Sequence, residues 1–100
     1  MIVVTGYLTI NPDLRAEVDA AIATLVPLTL AEDGCVQYRY ANDILEPNQI
    51  NIWEQWESED AMNAHMGSTH LADFMGVMGT CIGGPLEITR HDIASSSKIF

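Results

Sequence analysis

Three histidines are the side chains best suited to proton transfer near neutral pH: His65, His70 and His91. His65 follows Ala61 and Met62 by one turn of a predicted short helix, so it points with them toward the predicted sheet, where its imidazole can act as a general base. A structural histidine bonded to the backbone is the alternative. His70 falls in the first turn of the next predicted helix, and His91 is expected at an exposed strand end. Because a helix break separates His65 from His70, their spacing does not predict that they meet.

No spacing in the sequence predicts a metal, flavin or nicotinamide site. The histidines lack the H-E-x-x-H spacing of zinc enzymes, and the glycines match neither G-x-G-x-x-G nor a phosphate loop ending in G-K-[ST]. No G-x-S-x-G elbow presents a serine nucleophile. Cys35 and Cys81 lie far apart without a C-x-x-C motif, which favours free thiols over a disulfide or a reactive thiol. We therefore expect no metal and no cofactor.

Aromatic side chains are concentrated on the predicted central hairpin: Tyr38, Tyr40, Trp53 and Trp56. Such rings can form the wall of a pocket for a flat molecule, although core packing is the commoner role for any one of them. Trp53 and Trp56 have opposite parity, so only one of them can face the helices. Arg39 is a lone cation on the hairpin. It either pairs with Glu54 on the next strand or meets an anionic substrate oxygen.

The elements that must position these residues follow the order strand, helix, strand, strand, broken helix, strand. Hydrophobic periodicity predicts strands near 2–10, 35–40, 49–56 and 86–92, a first helix near 12–31, and two short helices capped by Ser58 and Ser68. Pro27 is expected to kink the first helix or split off its last turn. The glycines and proline at 83–85 are expected to end the last helix. This order predicts an α+β fold, a ferredoxin-like split β-α-β arrangement with a four-stranded antiparallel sheet.

Length and charge set the domain count and exclude some partners. The 100 residues include 14 Asp and Glu against 4 Lys and Arg, and 48% are hydrophobic. We predict one domain over 1–100, with a core over 1–92 and a C-terminal tail over 93–100. The formal charge of -10 argues against nucleic acid and anionic membranes as partners. Without a bilayer-spanning run or a signal-peptide pattern, the protein is expected to be cytoplasmic.

The second face of the predicted sheet is half apolar. If Gly6 and Leu8 face the helices, then Val3, Thr5 and Tyr7 point away from them. A small domain with such a face is expected to bury it against a second copy of itself. We therefore predict a homodimer formed through the sheet face.

The segment from Glu54 to His70 resembles the antibiotic biosynthesis monooxygenase family. In that family an E-x-W strand end precedes an acidic turn, an A-x-x-x-H helix and an S-x-H helix start, and this sequence carries all three at 54–56, 61–65 and 68–70. The run Gly34-Cys35-Val36-Gln37-Tyr38 is similar to the family's G-C-x-x-Y entry to the second strand. The order of elements fits over about 1–92.

The resemblance implies a dimeric α/β barrel with a pocket between the sheet and the helices of each subunit. Many members oxidise phenols, quinols or anthrones with O2 and without metal or flavin. On this sequence it implies that His65 is the base and that His70 orients the substrate. The expected ligands are a small aromatic substrate and O2, and the predicted substrate-binding residues are Tyr38, Arg39, Trp56, Met62 and Phe74.

Two other functions stay open. A cofactor-free isomerase of a small carbonyl compound also needs only a base, and a dimeric binding or stress protein without catalysis would use His65 structurally. The haem-degrading branch of the family is disfavoured, because its Asn, Trp and haem-ligating His correspond here to Gly6, His65 and Met75.

Overall fold

The chain forms four strands and three α-helices, and the computed structural model describes all 100 residues. The elements are β1 (Ile2–Ile10), a 3-10 turn (Pro12–Leu14), α1 (Arg15–Leu30), β2 (Cys35–Asn42), β3 (Gln49–Trp56), α2 (Glu59–Met66), α3 (Thr69–Cys81) and β4 (Ile82–Asp92). The strands form one antiparallel sheet in the order β2-β3-β1-β4. This architecture confirms the predicted ferredoxin-like α+β fold. None of the helices is long and apolar enough to cross a lipid bilayer.

The first helix begins and ends close to the predicted positions, since α1 ends at Leu30. The Asn11 side chain accepts a hydrogen bond from the backbone N–H of Asp13 at 3.0 Å and so caps the 3-10 turn that leads into α1. Of the two effects expected of Pro27, the splitting off of the last turn does not occur, since α1 continues through it to Leu30. Pro27 lacks the N–H that would bond the carbonyl of Ala23. Because Ala23 is exposed, water can bond that carbonyl instead.

The last strand is longer than predicted. β4 follows α3 directly, and the segment 83–85, predicted to be a break, lies within it. Pro85 fits there because β4 is an edge strand, where a backbone N–H need not pair. A Cβ on Gly83 would lie 2.6 Å from the backbone nitrogen of Asn11. The glycine therefore lets β4 pack closely beside the end of β1.

The two faces of the sheet divide as the alternation in β1 predicts. Thr5 pairs in register with Trp53, and both lie on the outer face, away from the helices. Trp56 lies on the inner face and is fully buried, whereas Trp53 is 39% exposed. This confirms that the two tryptophans face opposite sides. After β4, residues 93–100 form no regular element, and the backbone N–H of Ile93 bonds the carbonyl of Met1 at 2.9 Å.

Candidate functional site

A cavity of about 450 Å³ lies between the sheet and the helices α2 and α3. All four strands line it, and 14 of its 18 lining residues are hydrophobic. Its volume falls within the range of small-molecule sites, so the helix-sheet interface has room for a flat ring system. Its charged or readily titrated groups are Glu54, His65 and Arg90.

Serine caps place the two histidines side by side. The Ser58 hydroxyl accepts a first-turn N–H of α2 at 3.1 Å, and the Ser68 hydroxyl accepts one of α3 at 3.3 Å. Ser68 also donates to the carbonyl of His65 at 2.7 Å, which fastens the end of α2 to the start of α3. As a result the rings of His65 and His70 lie 6.0 Å apart, although a helix break separates them in sequence.

The carboxylate of Glu32 joins both histidines. Its Oε2 lies 2.7 Å from Nδ1 of His65 and 2.8 Å from Nε2 of His70. An ionised carboxylate only accepts hydrogen bonds, so each of these nitrogens donates to it. The His65 side chain is 2% exposed and that of Glu32 is 15% exposed. Nε2 of His65 is left without a protein partner, on a ring that lines the cavity.

Gly34 brings Glu32 to this position. Its φ of 80° lies in the left-handed region, which closes the turn after α1 without strain. A Cβ at Gly34 would lie 2.6 Å from the Cβ of Ala61 in α2, so only glycine allows this approach. The carbonyl of Gly34 also accepts the backbone N–H of Glu57 at 2.8 Å. The turn that carries Glu32 therefore packs against the start of α2.

Aromatic rings hold the His65 imidazole from behind. The Trp56 ring lies against it with centroids 4.8 Å apart, and the Tyr38 ring meets it edge-on at 5.2 Å. Trp56 is fully buried and does not line the cavity. Its Nε1–H donates to Oε1 of Glu54 at 3.0 Å. Trp56 is therefore a support shared by the histidine and the glutamate.

Glu54 is the carboxyl group of the cavity. It lies on β3 opposite Tyr38 and faces the helices. Burial raises its pKa above the usual glutamate value, although the hydrogen bond from Trp56 and the nearby His65 act in the opposite direction. Glu54 therefore keeps its proton to a higher pH than an exposed glutamate does.

Two tyrosines complete the polar part of the wall. The hydroxyls of Tyr38 and Tyr40 lie 3.2 Å apart, and the Tyr40 ring meets Phe74 edge-on at 5.6 Å. Burial raises the pKa of both tyrosines, that of Tyr40 to about 12. Both are therefore neutral hydroxyls at physiological pH and serve as hydrogen-bonding groups.

The histidine cluster also has the donor set of a metal site. Glu32, His65 and His70 offer one carboxylate oxygen and two imidazole nitrogens within 4.8 Å of one another, a set that divalent transition metals bind. The N···O distances of 2.7 and 2.8 Å are those of charge-assisted hydrogen bonds. Ligand atoms on a tetrahedral ion with bonds of about 2.0 Å lie about 3.3 Å apart. The three groups are thus arranged for mutual hydrogen bonding, and a tetrahedral metal ion would require both nitrogens to move away from the carboxylate oxygen.

The structure places four of the predicted site residues on the cavity wall, namely Tyr38, Met62, His65 and Phe74. Three others lie outside it. His70 bonds Glu32, Trp56 lies behind His65, and Arg39 is exposed on the outer face. Arg39 pairs in register with Trp53, whereas Glu54 pairs with Tyr38, so the predicted Arg39–Glu54 ion pair is wrong.

Four polar or charged residues of the site were not among the predicted site residues: Glu32, Tyr40, Glu54 and Arg90. Glu54 has the same strand parity as Trp56, and a lone acid on that apolar face is a signal that could have found it. Arg90 lines the cavity and pairs with Glu59 at 3.3 Å and Asp92 at 2.9 Å. Glu32 gives no local signal, because its histidine partners lie 33 and 38 residues away.

Known proteins share both the sequence pattern and the fold. Residues 1–77 match the model of a family described as antibiotic biosynthesis monooxygenase. YcnE of Bacillus subtilis, named as a candidate monooxygenase, is 29% identical over 94 residues, which cover 94% of this chain and 99% of that protein.

Two solved structures show the same fold. The structure of Rv0793 from Mycobacterium tuberculosis superposes with a TM-score of 0.87 at 23% identity, covering 97% of this chain and 98% of that one. A candidate antibiotic biosynthesis monooxygenase from Deinococcus radiodurans superposes with a TM-score of 0.90 at 22% identity, covering 100% and 99%.

The raised pKa of Glu54 predicts how the stability of a Glu54→Gln variant depends on pH. A carboxyl whose pKa is higher in the folded state favours folding while protonated, and this contribution is lost as the pH rises through that pKa. Glutamine stays neutral and still accepts from Trp56. The free energy of unfolding of Glu54→Gln, relative to the unsubstituted protein, should therefore increase with pH above the ordinary glutamate pKa. Denaturant titrations at a series of pH values measure it.

The matched control is Glu57→Gln, which changes an exposed glutamate just beyond β3. A difference that does not vary with pH for Glu54→Gln, like that of the control, would contradict the burial of this carboxyl.

Proposed function

The chain belongs to the antibiotic biosynthesis monooxygenase family, and on that premise we propose that it oxidises an aromatic phenol, quinol or anthrone with O2 and without a cofactor. One observation carries the proposal. Nδ1 of His65 bonds Glu32 at 2.7 Å, which leaves Nε2 as the unpaired nitrogen of the ring. That ring lines an apolar cavity of about 450 Å³.

His65 is the base in this proposal. Because Glu32 accepts the Nδ1 proton, the neutral imidazole carries its lone pair on Nε2. The same carboxylate stabilises the imidazolium that forms when Nε2 takes a proton. His70 is a positioning residue, since its Nε2 donates to the same oxygen of Glu32 at 2.8 Å and holds that oxygen in place.

The reaction needs no external reductant, because the substrate supplies all the electrons. His65 removes the phenolic proton, and the electron-rich anion reduces O2 and bonds it at a ring carbon to give a peroxide. The imidazolium returns its proton to the peroxide. The hydroperoxide then loses the hydrogen on that carbon while its O–O bond breaks, which leaves a carbonyl and releases water. One oxygen atom of O2 enters the quinone product and the other leaves as water.

The cavity wall suits this chemistry. Met62 and Phe74 are among its hydrophobic lining residues, and the edge of the Tyr38 ring supports the imidazole. In an apolar site the electrostatic interaction of the base with its proton is stronger than it is in water.

A substitution series tests the role of His65. In metal-free, chelator-treated protein, O2 uptake should be measured with an electrode against a panel of quinols and anthrones. His65→Ala should lower kcat/KM by about 100-fold or more, because a positioned base contributes 10²–10⁴-fold. Glu32→Gln should lower it less, since the imidazole remains but loses its anionic partner. Glu57→Gln is the control, because Glu57 is exposed and does not line the cavity.

Several outcomes would contradict the proposal. These are a His65→Ala rate equal to that of the unsubstituted protein, or activity that appears only when a divalent metal is added back. Conversion of a carbonyl substrate without O2 uptake would point to an isomerase, and binding without turnover to a binding protein.

We also propose that two copies of the chain form a homodimer through the outer face of the sheet. Trp53 is 39% exposed at the middle of that face, beside Thr5 in register. Tyr7 lies on the same face of β1, and a partner would cover this apolar surface.

Light scattering at micromolar concentration should give twice the chain mass of 11.0 kDa. Trp53→Lys places a charge on the face and should shift the mass toward that of one chain. Leu45→Lys, at an exposed position between β2 and β3, is the control and should leave the mass unchanged. A monomeric mass for the unsubstituted protein would refute the dimer.

A further inference from the structure

Glu54 is a second proton-carrying group on the cavity wall, and the chemistry assigned to His65 does not use it. The geometry points to Glu54 as the acid that protonates the leaving oxygen when the substrate hydroperoxide breaks down to quinone and water. This inference rests on the proposed monooxygenase function and adds a catalytic residue to it.

The contacts of Glu54 leave one of its oxygens available. Oε1 accepts from Nε1 of Trp56 at 3.0 Å, whereas Oε2 has no protein partner, and the side chain lines the cavity. The same Trp56 ring lies 4.8 Å from the His65 ring. The carboxyl and the imidazole thus contact one indole, and both line the cavity that would hold the substrate.

The surroundings of Glu54 favour the neutral acid. The titratable and charged groups near it are Cys35, Tyr38 and Tyr40 from β2, Glu32 from the turn after α1, His65 from α2 and Arg90 from β4. Burial raises the pKa of Glu54 most, and the negative Glu32 adds to this. Arg90, the one cation among these groups, already pairs with Asp92 and Glu59 at the exposed end of the cavity. Glu54 therefore keeps its proton to a higher pH than an exposed glutamate does.

The proposed step is balanced without a further reactant. His65, neutral again after protonating the peroxide, removes the hydrogen on the peroxide-bearing carbon as a proton. The electron pair of that C–H bond forms the carbonyl π bond, and the O–O bond breaks with its electrons on the outer oxygen. That oxygen takes the proton of Glu54 and leaves as water. The imidazolium then holds one proton and Glu54 is ionised, so proton return between them restores the starting state.

The other groups of the wall are poorer acids at this step. Burial raises the pKa of Tyr38 and Tyr40, which makes their hydroxyls reluctant proton donors. His65 is occupied with the proton from carbon. His65 and Glu54, both on the cavity wall, can therefore divide the roles of base and acid.

The test compares O2 uptake with quinone formation in Glu54→Gln. Glutamine keeps the size of the side chain and an oxygen for Trp56 but cannot transfer a proton. We expect O2 uptake to be largely retained and quinone formation to slow by about 100-fold, so that a substrate hydroperoxide accumulates and is detected by mass spectrometry. Glu54→Asp should restore part of the quinone formation. Glu57→Gln, the exposed control, should form one quinone per O2 consumed.

Each other outcome overturns a defined part of the account. If Glu54→Gln forms one quinone per O2 at the unsubstituted rate, the inference fails while the role of His65 stands. If a folded Glu54→Gln loses O2 uptake as well, Glu54 acts before the hydroperoxide and the assigned step is wrong. If the unsubstituted protein takes up no O2 with any substrate, the proposed function fails and the inference fails with it.

Discussion

One oxygen atom of Glu32 fixes the position of the His65 imidazole on the cavity wall, because that atom accepts hydrogen bonds from histidines of two different helices. His65 belongs to the last turn of α2 and His70 to the first turn of α3, and both donate to Oε2. Without this acceptor, Nδ1 of a histidine that is 2% exposed would lie buried and unpaired, at a cost of about 1–3 kcal/mol. The same contact selects the nitrogen that remains available to a ligand. The hydrogen bond to Glu32 therefore both positions the His65 ring and determines which of its nitrogens is unpaired.

A second constraint is the difference in surroundings between two ionisable groups on the cavity wall, His65 and Glu54. His65 has an anion on its far side, whereas Glu54 is surrounded by buried rings and accepts one indole hydrogen bond. Burial therefore raises the pKa of Glu54, whereas His65 is oriented by its hydrogen bond to Glu32. The Trp56 indole, buried between the sheet and α2, keeps both groups in position. Because the wall around them is apolar, each of their hydrogen bonds is electrostatically stronger than it would be in water.

Local patterns predicted most of the fold and part of the site. Strand β3 and the capped helices α2 and α3 begin where the sequence indicates, since alternation and the serine caps at Ser58 and Ser68 act within a few residues. Strand β4 was less predictable, because its first residues pair with the end of β1 more than 70 positions away. Alternation alone separates Arg39 from Tyr38, so the exclusion of Arg39 from the cavity could have been foreseen. The meeting of Glu32 with both histidines could not, because it depends on how three elements pack.

The central claim is that Glu32 holds the Nδ1 proton of His65 and leaves Nε2 free. Nitrogen NMR of the protein with ¹⁵N-labelled histidine, recorded at mildly alkaline pH, reads the tautomer of each ring directly. We expect that His65 carries its proton on Nδ1, that Nε2 shows the shift of a bare nitrogen, and that Glu32→Gln weakens this preference. A His65 ring protonated on Nε2 in the unsubstituted protein would contradict it.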